Sequence, residues 1–142
     1  MTNKETMTNK EAKDVLQEQI DRYGQEYDTE GIEALETAIK VLEQTSWIPV
    51  SERLPKDLET VNVTWVNHEP EPYYHDIKDK SFVATAIFSK RTGHWYWYST
   101  TCADYLGEYG DNEIDKVDDA IEITAWMPLP EPYKAESGVD VQ

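Results

Sequence analysis

The sequence predicts an α+β fold, with an N-terminal helical hairpin followed by a small, twisted, mainly antiparallel β-sheet. Three observations lead there. Residues 8–42 carry apolar side chains at helical spacing, whereas residues 60–66, 82–88, 94–98 and 120–126 carry them at alternate positions. Two tryptophan-proline blocks, Trp47–Pro55 and Trp126–Pro132, bracket the alternating part. The expected organisation is a helical segment over residues 1–46, a β-rich domain over 47–133 and a flexible tail over 134–142.

The first seven residues read as a loose leader. Thr8 with Glu11 forms a capping-box pattern at the head of the first helix, and Ala12, Val15, Leu16, Ile20 and Tyr23 give it an apolar stripe. Gly24 is a natural stop. Asp28 or Thr29 starts the second helix, whose apolar face is Ile32, Leu35, Ala38, Ile39 and Leu42. Each helix is only three or four turns long, so it needs an apolar partner: its mate, the sheet, or a second copy in a homo-oligomer.

Pro49 and Pro55 give Ser46–Pro55 the character of an extended edge followed by a turn. Val61, Val63 and Trp65 alternate with polar neighbours, as one face of a strand does. Residues 67–80 read as a long loop. Two strands then meet at Gly93, which can supply a positive backbone angle. In the second of them Trp95 and Trp97 share one face and Tyr96 and Tyr98 the other. In the last strand Ile121, Ile123 and Ala125 alternate against Glu122, Thr124 and Trp126. The stretch 99–119 shows no clear element.

The chain carries 29 acidic against 13 basic side chains, a formal charge of −16. This balance makes direct nucleic-acid binding unlikely, because a phosphate-binding surface concentrates positive charge. It favours a basic protein partner or bound cations. Five tryptophans, nine tyrosines and two phenylalanines supply core-forming surface, so the chain is not a disordered acidic tail. Cys102 is the only cysteine and excludes an intrachain disulfide. Neither a signal peptide nor a membrane span is evident, and the expected location is the host cytoplasm.

The block Trp47-Ile48-Pro49-Val50-Ser51-Glu52-Arg53-Leu54-Pro55, the segment Gly93-His94-Trp95 and the closing Ile123-Thr124-Ala125-Trp126-Met127-Pro128-Leu129-Pro130-Glu131-Pro132 together resemble a small phage and prophage family catalogued as domain of unknown function 551. The resemblance spans roughly residues 47–132. It implies a compact β-rich domain in phage-related proteins, often beside a small helical segment, and brings no catalytic residue and no activity. The long loop at 67–80 and the acidic stretch at 99–119 depart from the family pattern.

Several residue sets are candidates for chemistry. Asp111, Glu113, Asp115, Asp118 and Asp119 form an acidic partner-binding patch. Asp111, Glu113, Asp115, Asp119 and Glu122 fall at positions one, three, five, nine and twelve of a calcium-loop count, although Lys116 stands where that loop requires glycine. Arg53, Tyr73, Tyr74, Trp95 and Trp97 are candidate lining of an aromatic pocket. His68, His75 and His94 lack metal-site spacing, and Cys102 with His94 lacks an orienting third group. No catalytic residue and no cofactor are assigned, with calcium the one ion considered. No phosphate-binding glycine motif is present.

The expected function is that of a noncatalytic phage accessory protein binding a basic host protein. If that host surface normally holds nucleic acid, the carboxylates imitate its phosphates and the protein serves counter-defence. A small-molecule or cation-binding module is the alternative, and a small hydrolase the weaker one.

Overall fold

The computed structural model describes residues 6–135. The expected leader and tail therefore lie mostly outside the described residues. Helix α1 spans Asn9–Tyr23 and helix α2 spans Thr29–Gln44. The capping box is formed: Glu11 N donates to Thr8 Oγ1 at 3.1 Å and Thr8 N to Glu11 Oε2 at 3.2 Å. Gly24 ends α1 with a right-handed backbone, so the chain tightens into a 3-10 turn over Gly24–Glu26 without visiting the left-handed region. Asp28 then caps α2, its Oδ1 accepting from Gly31 N at 2.7 Å.

The two helices dock on each other. Asn9 Nδ2 donates to the carbonyl and hydroxyl of Thr45, both at 3.3 Å, and Lys13 pairs with Glu43 at 3.3 Å, which fixes the open end of the hairpin. Leu16, Ile20, Ile32, Leu35, Ile39 and Leu42 are only half-buried, and no described residue of either helix is fully buried. Nor does the hairpin contribute a side chain to the core of the sheet.

Five antiparallel strands follow: β1 (Ile48–Pro49), β2 (Thr60–Asn67), β3 (Ser81–Ser89), β4 (His94–Trp97) and β5 (Ile121–Pro128). Their order is β1-β5-β2-β3-β4. The expected α+β architecture is thus observed, with an open sheet. Val61 and Val63 on the central β2 are fully buried, and around them gather Ile48, Ala86, Val117, Ile123 and Trp126, with Trp65, Trp95 and Trp97 packed against the cluster.

The last strand departs from simple alternation. Thr64 pairs with Ala125 but Trp65 pairs with Ile123, so Thr124 is the extra residue of a bulge. The bulge changes the parity of β5: Ile123 and Trp126 both enter the core, and Ala125, expected beside Ile123, does not. Trp126 is further fixed where its Nε1 donates to Arg53 O at 2.9 Å.

The opposite face of the sheet carries a second, smaller cluster. Ile87 and Tyr96 pack there against Cys102 and Leu106, which belong to a third helix, α3 (Cys102–Tyr109), that the sequence did not reveal. Leu58 also packs on this cluster, and it does so from a left-handed backbone angle of φ 60° held by its amide bond to Phe88 O at 2.9 Å.

Four of the five tryptophans, Trp65, Trp95, Trp97 and Trp126, pack in the core of the sheet, so intrinsic tryptophan fluorescence in a Trp47→Phe background reports the sheet and not the hairpin. Val63→Ala is expected to lower the urea stability seen by fluorescence by about 2 kcal/mol, the loss of two buried methyl groups and the cavity they leave. Leu16→Ala in α1 is expected to leave that transition in place. A comparable shift for Leu16→Ala would show that hairpin and sheet unfold as one unit.

Candidate functional site

The acidic stretch 99–119 folds as a cover for β4. After α3 the chain turns at Gly110, which adopts φ 77° and whose missing Cβ would meet the Arg91 guanidinium at 2.7 Å. The left-handed angle favours glycine there, and any side chain would in addition have to push the Arg91 guanidinium aside. The chain then returns along the outer edge of β4. Trp97 N donates to Asp115 O at 2.7 Å, Val117 N donates to Trp95 O at 3.0 Å, and Tyr96 pairs with Lys116 as an antiparallel bridge. Asp115–Val117 thus satisfies backbone groups that an open edge would expose.

Three of the five carboxylates expected to meet a partner accept hydrogen bonds from groups of the same chain. The buried Tyr96 hydroxyl donates to Asp111 Oδ1 at 2.7 Å and lies 2.9 Å from Thr92 Oγ1. That phenol bond, followed by the Asn112 amide, holds the Asp111 carboxyl below its ordinary range. Asp115 Oδ2 accepts from Asn112 Nδ2 at 2.7 Å and from Ser99 Oγ at 3.3 Å. Asp118 Oδ1 accepts from Ala120 N at 3.0 Å. Glu113 and Asp119 are exposed, Glu113 beside the Asp111 carboxyl.

Sequence reasoning missed the centre of this network, Asn112. Buried, it donates to Asp115 and to Cys102 Sγ at 3.7 Å, while its Oδ1 accepts from the amides of Ile114 and Asp115. Burial pushes the Cys102 thiol up, away from the reactive thiolate. His94 is exposed at the start of β4, while Cys102 is enclosed beneath α3, an arrangement that suits a packing role for the thiol.

On the outside, α3 presents Tyr105 and Tyr109, whose rings pack at 4.7 Å between centroids. Tyr109 is 63% exposed, and Ile114 in the following segment is 92% exposed. Asp104 and Glu108 flank the tyrosines in sequence and are also exposed. A polar and aromatic surface of this kind suits recognition by another protein.

The expected aromatic pocket is not assembled. Trp95 and Trp97 pack on the core, with Trp95 at 5.2 Å from Phe88 and Trp97 at 5.8 Å from Trp65. The Arg53 guanidinium lies 5.2 Å from the Trp126 ring centroid. Tyr73 and Tyr74 sit in a 3-10 turn over Pro72–Ile77, 87% and 58% exposed, and pack edge to face on each other. Apolar burial took the tryptophans to the core and the prolines held the tyrosines out in the loop. The expected calcium set is dispersed as well: Asp111 is bound by Tyr96 and Glu122 reaches His68 from β5. Among the described residues no group of three or more His, Cys, Asp or Glu side chains is arranged to hold a metal ion.

His68 follows directly on β2. Its Nδ1 lies 2.8 Å from Asp79 Oδ1 and its Nε2 3.2 Å from Glu122 Oε1, which joins the 67–80 loop to β5. Asp79 N also donates to Asn67 O at 3.0 Å.

The model of a family described as "Protein of unknown function (DUF551)" matches residues 46–134, more than half of the chain. The chain belongs to this family. The family region begins after α2 and contains the whole sheet, α3 and the acidic segment. Its description carries no activity. Comparisons with curated proteins and with solved structures find no match.

Hydrogen bonds to Asp79 and then Glu122 raise the His68 pKa above its ordinary value of 6.5. Both carboxylates favour the charged ring, so the clasp contributes its stability below the unfolded value and loses it as pH rises through the folded value. An NMR titration is expected to place the His68 midpoint above 6.5, with Asp79→Asn and Glu122→Gln each lowering it. A midpoint that neither substitution moves would show that the contacts do not persist in solution.

Proposed function

We propose that this protein is a noncatalytic accessory protein of phage or prophage origin that binds a basic host protein in the host cytoplasm. The contact surface is the outer side of α3 and of the acidic segment after it. The observation that carries this reading is the tilted, closely packed pair Tyr105 and Tyr109, exposed like the nearby Ile114 in the stretch of sequence that carries Asp104, Glu108 and the acidic segment. Tyrosines supply contact area at small entropic cost, and the surrounding negative field speeds encounter with a positive surface.

The fold also supports the mimicry form of the proposal. A nucleic-acid mimic needs negative groups at fixed positions, because loose side chains lose entropy on binding. Asp111 and Asp115 are held by Tyr96, Asn112 and Ser99, on a segment bonded to β4. A host protein whose cationic surface ordinarily binds phosphates would meet here a rigid acidic surface, and competition for that surface is the counter-defence mechanism we favour.

The internal bonds dictate which carboxylates to change. Reversing Asp111, Asp115 or Asp118 would disturb the segment itself, so the test is Glu108→Lys with Glu113→Lys and Asp119→Lys. A pull-down from host lysate is expected to capture a basic protein with the native chain and to lose about tenfold of it with the triple variant at low salt, less at high salt. Tyr109→Ala is expected to weaken capture at both salts. Equal capture by the native chain and both variants would refute the surface.

A further inference from the structure

A recessed surface lies at the first tryptophan-proline block. A cleft of about 480 Å³ opens where the free end of the hairpin meets β1 and the turn after it, bounded by Lys10, Lys13, Glu43, Trp47, Glu52 and Arg53. A neighbouring cleft of about 310 Å³ shares Lys10 and Trp47 with it. The Trp47 indole, 40% exposed, therefore borders open space on two sides, whereas Trp126 in the closing motif is buried.

The charge of this cleft runs against that of the molecule. Three of the chain's 13 basic side chains line it, facing two carboxylates, in a protein whose formal charge is −16. Lys13 is partly neutralised by Glu43 at 3.3 Å. Arg53 is exposed; its carbonyl accepts from Trp126 Nε1 and its guanidinium lies 5.2 Å from the Trp126 ring centroid. The volume falls in the range of small-molecule sites.

We propose that this cleft binds a small organic anion carrying a planar ring, with the ring on Trp47 and the anionic group between Lys10 and Arg53. An exposed indole offers a stacking face to any flat ring. The cations supply orientation, and the acidic field of the remaining surface keeps larger polyanions such as nucleic acid away. The site is built jointly by the hairpin and the first family block, which gives the otherwise weakly packed hairpin a functional place. This inference is independent of the α3 surface, and neither requires the other.

The probes are naphthalene-1-sulfonate and adenosine monophosphate, with naphthalene-1-methanol and adenosine as their uncharged counterparts. Titration into the whole chain, followed by the tryptophan indole N–H signals in 15N-edited NMR spectra, is expected to shift Trp47 saturably with at least one anion. The matching uncharged compound is expected to bind about tenfold more weakly, the loss of a charge-assisted contact. Lys10→Ala and Arg53→Gln, followed at Trp47, and Trp47→Leu, followed by isothermal titration calorimetry, are each expected to weaken the anion about fivefold or more, while the Trp65, Trp95 and Trp97 indole signals stay in place, which reports an intact sheet. Lack of a Trp47 shift with both anions, equal affinity for charged and uncharged compounds, or undiminished affinity in all three variants would overturn the proposal.

Discussion

Strand β4 carries large side chains on both faces and sits at the end of the sheet, so the fold must cover it in three directions. Trp95 and Trp97 face the main core, where Val117 meets them, and Tyr96 faces the second cluster beneath α3. The outer edge is closed by the main chain of Asp115–Val117. All three covers come from one stretch, residues 102–117, and this requirement explains why so polar a sequence is ordered. An isolated four-residue strand has too few contacts to persist, and an open edge with aromatic side chains would invite association.

The same requirement divides the acidic residues into two groups. Carboxylates that face the protein satisfy buried or half-buried donors, as Asp111 does for Tyr96 and Asp115 for Asn112. Such bonds are costly to leave unmade, because the partner would remain desolvated. Exposed carboxylates such as Glu108 and Asp119 add to the negative field around those held positions. At the other end of the sheet the edge is managed differently: β1 has two residues, one of them Pro49, and the hairpin stands beside it.

Much of the architecture was legible because each element announced itself by local chemistry. The capping box at Thr8, the Asp28 cap and the alternation of Val61, Val63 and Trp65 depend on neighbours in sequence, as does the positive φ of Gly93. What escaped depended on distant partners. The bulge at Thr124 is invisible in β5 alone, since it appears only in register with β2. Helix α3 has no side-chain cap at Thr101, and its apolar face is reduced to Cys102 and Leu106, yet Gly110 was a stop signal that a reader could have used. The aromatic set is dispersed for a related reason: residue type nominated Trp95 and Trp97 for a pocket, and cross-strand packing claimed them for the core. Trp47, by contrast, stayed at the surface, and His68 acquired two carboxylate partners, one of them 54 residues away.

The account rests on the acidic segment being a structural part of the sheet, and amide hydrogen exchange of Trp97 and Val117 tests this most directly. Both amides are bonded across the β4 edge, Trp97 to Asp115 O and Val117 to Trp95 O. They are expected to exchange far more slowly than loop amides, and to lose protection together in Asn112→Ala while the β2 amides keep theirs. Exchange of both at the rate of an open loop, with β2 still protected, would contradict the account and leave the carboxylates without the fixed positions assigned to them.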